Sequence, residues 1–188
     1  MRLKLVISFL LICFTFNAFC QAEIDYLPKL LTKELTKYAK GEPFELQELP
    51  HNDETYYNGK FFKIMTTIKD FPLSYIYIGR VNSCRAGGCS INNTHSNDGP
   101  SEYFDYFMLF DKKLWVKFVK VYNYQATHGE EVTAAGWLRQ FIGYDGSSSL
   151  KVGKEIDAIS GATISANGIT ADIEYKSKLI KKLGTVKN

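Results

Sequence analysis

One stretch of the chain sets hydroxyls, a carboxylate and small residues at a spacing that could do chemistry: Asp157-Ala-Ile-Ser160-Gly161-Ala162-Thr163-Ile-Ser165. Gly161 admits a backbone angle that other residues avoid, and Ala162 leaves room for a bulky group to lie close. Beyond it Ile169, Ile173, Lys176, Ile180 and Leu183 fall in helical register, with Gly184 after them, so the stretch delivers the chain into a helix from about Ser165 to Leu183. Thr163 and Ser165 then present hydroxyls where the first helical amides lack intrahelical acceptors and the dipole is positive. Such a place suits an anion, phosphate above all. A plainer reading uses the same residues, with Ser165 as N-cap, Asp157 closing a turn, and no ligand. On residue types alone the capped helix is the commoner outcome.

A second candidate is Cys84-Arg-Ala-Gly-Gly-Cys89. In an oxidising compartment two thiols bracketing two glycines most simply make one local disulfide. A metal or redox-active pair with His95 is the sharper alternative, but it lacks the fourth ligand of a closed zinc site. No metal is expected. His51 and His95 read as ordinary loop residues. Asn92-Asn93-Thr94 is formally a glycosylation sequon.

Residues 1–20 supply the compartment. Arg2 and Lys4 precede an apolar run from Leu5 to Phe16, and Ala18-Phe-Cys20 resembles a small-x-small cleavage site. A cleaved signal peptide and an exported, periplasmic location are expected, ahead of a retained anchor or a lipid-modified Cys20. Loss of Arg2 and Lys4 takes the formal charge from +3 to +1, which excludes a nucleic-acid binder of the basic type.

The elements that must position these residues follow from pattern. The 188 residues suit one domain, and 13 Phe and 12 Tyr favour β-rich packing. Glu23 to Lys40 reads as an amphipathic helix with Leu27, Leu30, Leu31, Leu35 and Tyr38 on one face. A polar stretch follows. Tyr57-Asn-Gly-Lys60 reads as a hairpin-type turn into a strand over 61–68, and 74–81 alternates as another. Residues 82–100 read as a loop or hairpin tip. Tyr103–Phe110, the turn at Asp111-Lys-Lys113 and Leu114–Tyr124 make the clearest hairpin. Thr133 then caps a helix that turns Trp137, Leu138, Phe141 and Ile142 inward and stops at Gly143. The sum is an α+β single domain: an antiparallel meander sheet flanked by an N-terminal helix and two C-terminal helices. Its expected divisions are a signal peptide over 1–20, a helix and extension over 21–58, and the main domain over 59–188.

Asp157-x-x-Ser160-Gly161-Ala162-Thr163 resembles the flavinylation motif of the FMN-binding domain family, Asp-x-x-(Ser/Thr)-Gly-Ala-(Ser/Thr). That family includes the C subunit of the sodium-pumping NADH:quinone oxidoreductase and the G subunit of the Rnf complex. Trp137-Leu-Arg-Gln-Phe141 resembles the family's upstream Trp-x-x-x-Phe helix, and the likeness runs roughly from Phe104 to the C-terminus. Many relatives carry Glu-Thr-Pro-Gly-Leu-Gly before that helix; here the chain reads Glu131-Val-Thr133-Ala-Ala-Gly136.

The resemblance implies FMN joined to Thr163 as a phosphoester, donated from FAD by a separate Mg-dependent flavin transferase. In this reading Asp157 presents the loop to the transferase; Ser160, Gly161 and Ala162 shape the turn. Ser165 and the following amides hold the phosphate. His128, Glu131 (or Glu130) and Thr133 are candidate contacts to the flavin ring, although a solvated loop explains them as well. Trp137 reads as core. The function implied is an exported electron carrier working with a membrane or exported redox partner. A flavin module of a multi-chain reductase and a secreted non-redox binding module are the alternatives.

Overall fold

The computed structural model describes residues 22–50, 58–85 and 101–185. Helix α1 (Lys29–Ala39) leads into strands β1 (Phe44–Glu48), β2 (Gly59–Thr66), β3 (Tyr75–Arg85), β4 (Ser101–Phe110) and β5 (Val116–Tyr124). A 3-10 turn (Glu130–Thr133), a single α-helical turn α2 (Ala135–Leu138) with its 3-10 extension (Arg139–Phe141), and the long helix α3 (Thr163–Thr185) follow. The strands form one antiparallel meander in the order β1-β2-β3-β4-β5. The fold is α+β, as the pattern implied. The expected leader, the sequon, the two loop histidines and the Cys84–Cys89 bridge lie outside the described residues.

Alternation along the strands divides the sheet into two covered faces. Tyr77, Phe104, Tyr106 and Met108 face Ala166, Ile169, Ile173 and Ile180 of α3 in one cluster, which also holds Trp137 and Phe141. Phe62, Ile64, Ile76, Ile78, Phe107 and Leu109 face Leu31, Leu35 and Ala39 of α1 in the other. At about 25 cal/mol per Å² of apolar surface, a fully buried leucine contributes about 2 kcal/mol. The α1 layer is therefore a structural wall of the domain. Opposite Leu109 and Phe110 of β4 the register slips, their partners in β5 being Phe118 and Val116, a bulge that brings Val116 to the α3 face with Val119 and Val121.

Several expectations are corrected. The first helix starts at Lys29, because Pro28 is extended at φ −64°, ψ 146° and the Asp25 carboxylate accepts the Leu27 amide in a turn. Leu27 and Leu30 are exposed, and the core-facing residues are Leu31, Leu35 and Ala39. The polar stretch hides β1, an edge strand paired along β2. Gly59 is no turn residue. It opens β2 opposite Gly79, and a Cβ on either would fall within 2.4 Å of the Tyr77 hydroxyl that lies over them. Thr133 belongs to the 3-10 turn, and Ala134 stands at the N-cap of α2 with no side-chain cap. Ile142 is exposed.

Candidate functional site

The motif loop is fixed at both ends. Before it, Ile156 is buried and bridges to Val152. After it, Ala162 is buried, donates its amide to Ile159 O (3.2 Å) and accepts the Ala166 amide (2.8 Å), the first closing bond of α3. Between them Gly161 sits at φ +81°, and a Cβ there would meet nothing within 4 Å. The glycine serves the backbone angle, and the space above the turn is open.

The helix begins two residues earlier than its apolar register suggests, at Thr163. Thr163 is exposed at the first helical position, with Ser160 and Gly161 exposed beside it. The amides of Thr163, Ile164 and Ser165 belong to the turn that has no intrahelical acceptors, so partial positive charge gathers beside the threonine hydroxyl.

Ser165 is third in the helix and turned inward, with 2% of its surface exposed. Its Oγ lies 3.1 Å from Ser83 Oγ on β3 and 3.0 Å from the Tyr124 hydroxyl at the end of β5. Tyr124 OH donates to His128 O at 2.6 Å. Gly129 follows at φ +91°, and a Cβ there would stand 2.7 Å from Ser165 Oγ. Burial raises the Tyr124 phenol above its ordinary value; the Ser165 bond opposes the rise, and the charges of Glu131, Glu102 and Glu130 add to it. The 128–131 segment is thus drawn against the start of α3. The His128, Glu130 and Glu131 side chains are exposed there, and Thr133 is half-buried.

Asp157 is exposed, and its peptide is held from α2 and its extension. Trp137 Nε1 donates to Asp157 O at 2.8 Å, and the Asp157 amide donates to Gln140 Oε1 at 2.8 Å. Trp137 is core, as its spacing implied, and also a tether. Gln140 carried no signal in the sequence beyond its place inside Trp-x-x-x-Phe. Among the described residues no group of His, Cys, Asp and Glu is arranged to hold a metal ion.

A family model described as FMN-binding domain matches residues 102–175, from the start of β4 into α3. Residues 102–175 belong to the FMN-binding domain family. The match takes in Tyr124, which bonds Ser165, the Trp137 turn, which bonds Asp157, and the motif loop and first turns of α3 that carry Thr163. Flavin binding and an electron-transfer role follow from that membership. The residues fit the group: an exposed hydroxyl at a helix N-terminus, open space over Gly161, and a small buried residue between them. No curated protein and no solved structure matches the chain.

Proposed function

We propose that the protein is an exported electron-transfer flavoprotein whose FMN is attached covalently through a phosphoester to Thr163. The observation that carries this reading is the exposed Thr163 at the first position of α3, two residues after the left-handed Gly161 and inside the family-matched segment. Thr163 Oγ bonds to the FMN-side phosphorus of FAD, the pyrophosphate P–O bond breaks, AMP leaves, and the hydroxyl proton passes to a base. A threonine hydroxyl is a poor nucleophile unaided, so that base and the Mg²⁺ come from the flavin transferase.

On this chain, amides of the first α3 turn would hold the ester phosphate, and Asp157 would offer its exposed carboxylate to the transferase. Ser165 supports the turn from inside. The bound group supplies acceptance and donation of electrons, and the protein supplies tethering and orientation. Tethering suits an exported carrier, since a free cofactor would diffuse away. The redox partner is a membrane respiratory complex or another exported redox protein.

Co-expression with a cognate transferase tests the reading. Denatured wild-type protein and Thr163→Ser should carry tethered flavin fluorescence, and Thr163→Ala should be dark. A dark wild-type band, with a known substrate labelled in parallel, favours a binding module instead.

A further inference from the structure

The main-chain polar groups of Asp157 are both taken by side chains from a single turn, Trp137 to Gln140. The Asp157 carbonyl accepts the Trp137 indole N–H at 2.8 Å, and the Asp157 amide donates to Gln140 Oε1 at 2.8 Å. The ring closes on itself, because Gln140 Nε2 donates to Trp137 O at 3.1 Å. Trp137 is fixed in turn by an edge contact with the buried Phe141, ring centroids 5.4 Å apart.

Two consequences follow. With its peptide groups occupied, Asp157 is anchored by backbone alone and its carboxylate is left to solvent. The loop from Asp157 to Ala162 is then pinned at one end by this clamp and at the other by the buried Ala162, with the exposed Ser160 and Gly161 between. A short segment held at both ends samples few conformations, whereas release of one end lets it wander.

We infer that Gln140 is a positioning residue for modification of Thr163: it bridges Trp137 to the Asp157 main chain and keeps the loop in the form the flavin transferase recognises. This rests on the proposed attachment at Thr163. The Gln140 side-chain bonds go to the Asp157 amide and to Trp137 O, so its effect is on the population of the competent loop. When only a fraction of the acceptor is competent, its apparent affinity falls by that fraction while turnover of the bound complex is unchanged.

The test is a steady-state assay of purified transferase, FAD and Mg²⁺ with the full exported chain as acceptor. Gln140→Met keeps the side-chain length and packing while removing both polar atoms. The acceptor KM should rise about tenfold with kcat within about twofold of wild type. The Asp157 amide should also exchange its hydrogen faster in the variant by a larger factor than the amides of β4, which separates release of the clamp from a general loss of stability. A Gln140→Met acceptor with wild-type KM, or one whose kcat falls while KM stays, overturns the inference and leaves the attachment at Thr163 standing if wild type is labelled. Wild-type protein that takes no flavin overturns both.

Discussion

Ser165 donates its hydroxyl proton to Tyr124. Their oxygens are 3.0 Å apart, and the phenol's single proton is already committed to His128 O at 2.6 Å. Each hydroxyl has one proton to give, so Ser83, 3.1 Å away, donates to Ser165 in turn. The order of donation runs from β3 through α3 to the end of β5 and then to the loop at His128. This chain ties the helix that carries Thr163 to two strands and to the 128–131 segment.

Ser165→Ala leaves Tyr124 OH its bond to His128 but strands Ser83. Loss of about 1 kcal/mol of stability is expected, read as a shift in the denaturant midpoint with unchanged slope. Flavin attachment should persist, because the hydroxyl faces inward.

Gly161→Ala forces a side chain into the left-handed region at φ +81°, with no atom for it to strike. The cost should be about 1 kcal/mol from backbone strain alone. Gly129→Ala combines φ +91° with a Cβ 2.7 Å from Ser165 Oγ, so it should cost more. Urea unfolding of the two variants side by side checks the order.

Glu174 joins α3 to the loop before the motif, accepting the Leu150 amide at 2.7 Å and pairing with Lys178. Its carboxyl is lowered from 4.5, first by Lys178 and then by the Leu150 amide. A lowered folded value contributes stability above the unfolded value, and that contribution is lost as pH falls through the folded one. Wild type should therefore exceed Glu174→Gln in melting temperature at about pH 6, and the gap should close on acidification below 4.5.

Leu31→Ala removes a fully buried side chain from the sheet face opposite α3. A loss of about 2–5 kcal/mol is expected by chemical denaturation. A neutral outcome would make α1 dispensable to the domain.

Much of this was legible beforehand, and the failures have local causes. The β4–β5 hairpin was readable because Asp111 is a turn residue, and its carboxylate does accept the amides of Lys113 and Trp115 at 2.8 and 3.0 Å. Helix α3 was readable from its isoleucine spacing. Strand β1 was not, since Phe44-Glu-Leu-Gln-Glu48 is short, charged and at an edge where only Phe44 and Leu46 are half-buried. Asn58-Gly59 mimicked a turn because glycine answers two needs, and here the need is space beneath Tyr77. The Ser165 hydroxyl reads in the sequence as a helix cap or, by the family resemblance, as a phosphate contact. Burial instead made it a partner of residues 41 and 82 positions away, which no local pattern encodes. Gln140 escaped notice for the same reason, being 17 positions from the amide it holds.

The central claim is attachment at Thr163, and peptide mapping tests it most directly. Purified chain, flavin transferase, FAD and Mg²⁺ are incubated, digested and analysed by tandem mass spectrometry. The account predicts one FMN less one water on Thr163, with one AMP released per chain modified. Flavin mass on any other residue, or none while a control acceptor is modified, would contradict it.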